Sequence, residues 1–256
     1  MDDLARFLAL QRRLLERRST RVEPFEHGVA YFDEGYRERY ISNLLCANGD
    51  VSHVQAPGLV RIADRILGGA GYEHRLVVVT DDRQGARLAP GFREQGYTAA
   101  RSLVLVHRRE PDRGADVRAE ECSFADSRSL TVEIYRREGV VPAAMIPHFA
   151  DQHETWERVI GARRFVARID GVLAGQCELY VDGADAQVEF VDTLEEFRGR
   201  GVARSVVLGA VAAARASGAN HVFIEAEAED WPKELYGRLG FDPLAGQWEL
   251  SRWPAP

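Results

Sequence analysis

The chain has 256 residues, 45% of them apolar and 29% charged, and a formal net charge of −7. That length suits one large domain or two of ordinary size, and the acidic balance argues against a nucleic-acid binder, for which a basic face is expected. Cys46, Cys122 and Cys177 are odd in number and far apart, so neither a disulfide framework nor a zinc knuckle is indicated and a reduced compartment fits best.

From the N-terminus, Leu4, Phe7, Leu8, Leu14 and Leu15 fall near one face of an amphipathic helix over residues 4–18. Its basic tail, Arg12, Arg13, Arg17 and Arg18, reads as a solvated face, because Glu16 and the acidic chain oppose a membrane or nucleic-acid patch. The acidic start is unlike a secretory signal, and no apolar run reaches the roughly 20 residues of a membrane span, so a cytoplasmic protein is expected. Strand-like runs follow at 29–32 and 39–46, joined through Asp33-Glu34-Gly35. Pro57-Gly58 opens a helix over 59–67 that Gly68-Gly69 stops. A Val-rich strand at 75–80, a helix at 88–95 ended by Gly96 and a strand at 102–107 complete an α/β or α+β layer. Residues 108–116, R-R-E-P-D-R-G-A-D, are nearly devoid of apolar side chains and mark a domain boundary. The expected domains are 1–110 and 111–256.

The second half predicts an extended piece near Val117, helices at 126–137 and 147–160, and strands at 164–169, 172–180 and 187–192. Asp170-Gly171 is a two-residue hairpin signal and Asp182-Gly183 marks the next turn. A long helix runs from Val202 until Gly218, followed by a strand at 222–226, a helix that Pro232 starts and Gly240 caps, with Asp230 or Trp231 at its N-cap, and a last strand at 248–253.

Between the strand ending near Asp192 and the helix from Val202 lies Arg198-Gly199-Arg200-Gly201-Val202-Ala203. Glycines at a strand-to-helix junction allow a tight turn whose amides converge, and the helix dipole adds positive potential, so a phosphate or pyrophosphate is the expected guest. The spacing is neither G-x-G-x-x-G nor a Walker loop. Arg198, Gly201 and Ala203 instead resemble the acyl-coenzyme A signature of the GNAT N-acetyltransferase superfamily, [Q/R]-x-x-G-x-[G/A]. Downstream, Leu235-Tyr236-Gly237-Arg238-Leu239-Gly240-Phe241 is similar to that family's L-Y-x-[KR]-x-G-[FY]. The two motifs stand in the family's order and at about its separation, and the element order from Val117 to Trp253 is that of the GNAT fold, a mixed sheet flanked by helices.

The resemblance implies acetyl-CoA held by Val191, Thr193, Arg198, Gly199, Arg200, Gly201, Val202 and Ala203, and direct attack of an amine in a ternary complex, with no metal. It also implies that Tyr236 protonates the leaving thiolate, a step suited to a phenol of pKa near 10. The family has an asparagine seven residues before this tyrosine, and here Glu229 stands there. The chemistry needs a base for the acceptor ammonium, and the candidates are Glu189, Glu225 and Glu227, with Glu189 favoured. Strand alternation puts Glu225 and Glu227 opposite Val222, Ile224 and Ala226, and Glu189 with Gln187 and Val191. Glu225, Glu227, Glu229 and Asp230 form an acidic cluster that would attract a cationic amine, either a small molecule or a peptide. His148, His153 and Glu154 lack zinc spacing and read as ordinary helix-surface residues. No G-x-S-x-G elbow supports a hydrolase.

The halves end alike. Phe92-Arg93-Glu94-Gln95-Gly96-Tyr97 can be laid on residues 236–241, which suggests tandem GNAT-like domains. The first half has Phe92 where the second has Tyr236 and lacks the acyl-CoA signature, so it is read as a degenerate repeat supporting the acceptor side. The expected protein is an acetyl-CoA-dependent N-acetyltransferase, monomeric or homodimeric; a non-catalytic acyl-CoA-binding or regulatory module is the alternative.

Overall fold

Helices separate runs of one to three strands along the chain. The computed structural model describes residues 1–139 and 141–254. In chain order the elements are α1 (Asp3–Arg18), β1 (Arg21–Phe25), β2 (Gly28–Phe32), β3 (Leu44–Ala47), α2 (Ala56–Ala63), β4 (Arg75–Val79), α3 (Asp82–Glu94), β5 (Thr98–His107), β6 (Ala119–Cys122), α4 (Phe124–Glu138), α5 (Ile146–Ile160), β7 (Arg163–Ile169), β8 (Val172–Asp182), β9 (Asp185–Thr193), α6 (Val202–Ala216), β10 (His221–Glu227), α7 (Pro232–Arg238) and β11 (Phe241–Arg252). This is a mixed α/β fold of sheet flanked by helices. Two units divide it: Met1–Leu10 with Leu105–Glu225 and Trp231–Pro243, and Gln11–Val104 with Ala226–Asp230 and Leu244–Pro256.

In the unit containing residues 11–104, β1, β2 and β3 are antiparallel neighbours, β3 and β4 are parallel, and residues 248–252 of β11 run antiparallel to β4. Leu59, Leu88, Phe92, Val77 and Leu250 lie in its core. Several elements here differ from expectation. β1 has no apolar alternation to announce it, and three of its five residues are exposed. The run at 39–46 is not one strand: a 3-10 turn at Tyr40–Ser42 precedes β3, and Asn43 fixes the turn by donating to the carbonyls of Tyr36 and Arg39 at 3.0 and 3.1 Å. The helix at 59–67 starts earlier and changes to a π-turn at Asp64–Gly68. α3 begins at Asp82 because Asp81 caps it, accepting from the Gln84 amide at 2.9 Å.

In the other unit β6, β7, β8 and β9 form an antiparallel run and β10 adds parallel to β9. The Asp-Gly hairpin forms as its sequence requires, with Asp170 and Gly171 at φ of 51° and 82°. Ser123 caps α4, and left-handed Gly139 and Gly161 end α4 and α5. Along β8, Cys177 points to α6, its thiol on the Val206 carbonyl, and Glu178 points to α5, where it meets His153. The two sheet faces therefore differ: one is apolar under α6 and the other is polar under α4 and α5. β10 is covered on both sides, since Phe223, on the same face as Glu225, is fully buried against Phe7 of α1. Among the described residues no helix is long and apolar enough to cross a membrane.

Candidate active site

The Arg198–Ala203 turn opens α6. Gly199 and Gly201 take φ of 75° and 77°, a region that side chains rarely adopt, and no side chain caps the helix. The first amides of α6 therefore have no partner within the helix and face outward with the positive end of its dipole. A Cβ on Gly201 would collide with the carboxylate of Asp116, which Arg113 pairs. The 108–116 segment is anchored there as well: Arg204, 3% exposed, donates to Asp112 at 2.7 Å and to the Arg113 carbonyl at 3.0 Å. Arg198 and Arg200 are exposed, and Arg200 reaches Asp170 at 3.5 Å.

Thr193 lies on the α6 side of β9. A Cβ on its cross-strand partner Gly175 would meet both Thr193 Oγ1 and Val202 Cγ1, so these three residues adjoin at the start of α6. The Thr193 hydroxyl is buried and has no hydrogen-bond partner, which marks a place where a ligand can supply one.

β9 departs from the alternation that the sequence suggests. Gln176 pairs with Asp192 and Glu178 with Glu189, so Phe190 and Val191 together oppose Cys177 alone. This is a β-bulge, and Phe190 has φ of 50°. Beyond it the faces exchange: Glu189 is followed on its face by Asp192, not by Val191. The parallel ladder to β10 covers Asp185–Val188 against His221–Ile224, and both strands continue past it, to Thr193 and Glu227. The backbone edge of β9 beside Val191 and Thr193 is thereby outside that ladder.

The three glutamates part company. Glu189 and Glu225 are joined by Gln187, whose amide donates to both, to Glu225 at 3.2 Å. Glu227 is exposed at the end of β10 and belongs to the other unit, where it helps burial push the Glu249 carboxyl upward. Glu229 and Asp230 are also exposed. Tyr236, on α7, is 5% exposed with its ring 6.2 Å from that of Phe241. In the other unit the rings of Phe92 and Tyr97 stand 5.0 Å apart.

His153 is not on the helix surface, as expected from its spacing, but 2% exposed. Its Nδ1 is 2.6 Å from Glu178 Oε1 and its Nε2 is 2.6 Å from the Tyr135 hydroxyl. Glu178 also accepts from Arg164 and, at 2.6 Å, from the Tyr180 hydroxyl. Burial works to raise the Glu178 carboxyl, but the charges of His153 and Arg164 and these hydrogen bonds outweigh it and hold the carboxyl well below its usual range. Next along the face, Arg164 donates to Gln176 Oε1 at 2.6 Å, leaving the Gln176 amide for Asp192, whose carboxyl burial pushes up to about 6. Sequence reasoning missed this network because its members sit on five separate elements; His153, among the apolar positions of α5, was its one visible sign. His148 is half-buried and Glu154 pairs with Arg158 on the surface. Among the described residues no group of three or more His, Cys, Asp and Glu is gathered as a metal site.

The model of the acetyltransferase (GNAT) family matches residues 129–241, from α4 through the turn and Tyr236 to the start of β11. Residues 129–241 are a GNAT domain. No curated protein matches the chain at a significant level. In fold, the chain resembles the GCN5-related N-acetyltransferase from Kribbella flavida, at 18% identity, 100% of this chain and 97% of that one, and a TM-score of 0.65. It also resembles a tandem GNAT protein from the clavulanic acid biosynthesis pathway, at 16% identity, 90% and 80% coverage and a TM-score of 0.56. A functionally unknown conserved protein from Staphylococcus epidermidis matches at 13% identity, 91% and 94% coverage and a TM-score of 0.69. These likenesses concern the fold, and they extend over the N-terminal half outside the GNAT domain.

Proposed function

We propose that the chain is an acetyl-CoA-dependent N-acetyltransferase. The carrying observation is the uncapped, glycine-shaped start of α6 beside the unpartnered Thr193 hydroxyl, at the end of a bulged strand. The amides of Gly201, Val202 and Ala203, with Gly199 for the turn and Arg198 and Arg200 for charge, suit a pyrophosphate. The backbone of Val191 and Thr193, off the β10 ladder, suits the amide-bearing arm that follows. Acetyl-CoA, when bound, supplies an activated acyl carbonyl. On the chain's side, Glu189 and Glu225 attract and orient the ammonium of the acceptor, with Gln187 fixing both carboxylates. Tyr236 donates a proton to the departing sulfur. The acceptor is a primary amine of a small molecule or peptide, attacking directly.

Residues 1–110 are proposed to be a degenerate repeat that does not hold the donor. In the loop before α2, the Asp50 carboxylate accepts from the Ser52 amide at 2.8 Å.

Tyr236→Phe tests the reading. Turnover of acetyl-CoA with a responsive amine is expected to fall about 10²-fold, with acetyl-CoA affinity by calorimetry unchanged. Unchanged turnover would remove Tyr236 as the acid. Tight acetyl-CoA binding by the native chain, with no amine in a broad panel acetylated, would favour a non-catalytic binding module.

A further inference from the structure

The polar face under α4 and α5 holds a carboxylate, an imidazole and a phenol in series, and acyl transfer as described above leaves them unused. Glu178, His153 and Tyr135 are linked by two contacts of 2.6 Å. In the neutral imidazole a carboxylate on Nδ1 favours the proton there, and Nε2 then faces the Tyr135 hydroxyl as an acceptor. Burial eases along the series: Glu178 is 1% exposed and Tyr135 is half-buried. It also abuts the bulge, because the His153 ring stands edge-on to Phe190 with centroids 4.8 Å apart. Glu178 itself is the cross-strand partner of Glu189.

The acceptor amine arrives as an ammonium and must lose a proton before it can attack. Glu189 and Glu225 draw it in, but a carboxylate beside an ammonium favours its charged form. A proton moved to His153 is compensated differently, since the new imidazolium lies on the buried anion Glu178, where low dielectric strengthens the pairing. Resting on the acyl-transfer reading, we propose that Tyr135 takes the proton of the acceptor ammonium while passing its own phenolic proton to Nε2 of His153, with Glu178 as the positioning carboxylate. The N–H bond of the ammonium breaks and an O–H bond forms on Tyr135. The former O–H bond of Tyr135 breaks and an N–H bond forms on Nε2, so the positive charge passes from amine to imidazole. The freed lone pair attacks the acyl carbonyl; as the C–S bond breaks, Tyr236 gives its proton to the departing sulfur, and the second N–H bond of the attacking nitrogen breaks to return a proton to Tyr236, leaving the amide and the thiol. After product leaves, the imidazolium returns its proton through Tyr135 to water.

His153 meets Tyr135 on α4 and Glu178 on β8, with Phe124, Trp156 and Phe190 as apolar walls; Glu178 in turn meets Arg164 on β7 and Tyr180 on β8 and pairs across the sheet with Glu189 on β9, Thr131 on α4 accepts from Arg164, and Asp192 on β9 feels the charges of Arg164 and Glu178. Because Asp192 is pushed up to about 6, Asp192→Asn is the control for any limb of the pH profile near that value.

The first test needs no acceptor. In the full chain labelled with 15N-histidine, His153 is expected to be neutral between pH 7 and pH 9 with its proton on Nδ1, and Tyr135→Phe is expected to move the Nε2 signal. A doubly protonated His153 over that range, or a proton on Nε2, overturns the relay, since no lone pair would remain to receive the phenolic proton. The second test uses acetyl-CoA with benzylamine, an ammonium at pH 7, and methoxyamine, which is already neutral. Tyr135→Phe is expected to lower turnover of benzylamine about 10²-fold and to leave that of methoxyamine nearly unchanged. Equal losses, or none, overturn the relay. If the native chain acetylates neither amine, the acyl-transfer reading fails for these acceptors, and the His153 spectrum decides the relay by itself.

Discussion

Glu178 carries its charge where almost no water reaches it, and only its partners make that tolerable. Its carboxyl is held below the ordinary value, so its contribution to stability is complete above pH of about 4.5 and is lost as acid carries the pH down toward about 2. Glu178→Gln leaves Arg164 without its counter-charge and is expected to cost about 3–5 kcal/mol at pH 7, read from urea unfolding. The deficit should narrow at pH 3, and a deficit that does not change with pH would contradict the charge argument. Asp192 works in the opposite sense. Its carboxyl is raised to about 6, so the stabilising state is the protonated one, present in full below about 3.8 and lost as the pH rises through about 6. Asp192→Asn keeps an acceptor for the Gln176 amide and removes the charge. Thermal melts should therefore show Asp192→Asn more stable than the native chain at pH 8, with the gap closing by pH 4.

Single elements explain why some of the site is legible in the sequence and some is not. The turn before α6 announces itself because the backbone there requires glycine. Gly201 at φ of 77° with Asp116 against it admits no Cβ. Gly201→Ala is expected to cost roughly 1–2 kcal/mol from the left-handed backbone, and more from displacing Asp116. It should weaken acetyl-CoA binding in calorimetry, and the further change Asp116→Ala should return only the part due to the collision. The bulge in β9 leaves no such mark. Alternation from Gln187 to Val191 is intact in the sequence, and the residue bent to φ of 50° is Phe190, which nothing local selects. Its ring is held among Trp156 and His153, so surrounding packing imposes the backbone, and the face assignment of Glu189 with Val191 fails for that reason. The Glu178 network was hidden for a related cause: residues tens of positions apart meet only once α4, α5 and β8 are packed. Strand and helix order, by contrast, follows from periodicity and from the Asp-Gly, Pro and Gly punctuation.

At the scale of the whole chain, the GNAT domain at residues 129–241 depends on segments far from it in sequence. Phe7 of α1 is fully buried with its ring 5.5 Å from Phe223 on β10, and Arg6 reaches Asp185 on β9 at 3.4 Å, all within one unit. Phe7→Ala is expected to destabilise by about 3–5 kcal/mol, the usual cost of emptying a buried aromatic site, read from urea unfolding. Strand β11 makes the converse point, for its residues 248–252 pair with Val79–Arg75 of β4 within the other unit. A truncated chain starting at Arg113 keeps Tyr236 and the Arg198–Ala203 turn but loses both Phe7 and β4. It therefore exposes Phe223 and presents residues 248–252 as an unpaired edge carrying Trp248 and Leu250, the kind of edge that templates association. That chain is expected to associate in size-exclusion chromatography and to lack a cooperative melt, whereas the full chain melts cooperatively. A monomeric truncated chain with full acetyl-CoA turnover would show instead that the first 112 residues are dispensable to the domain that follows them.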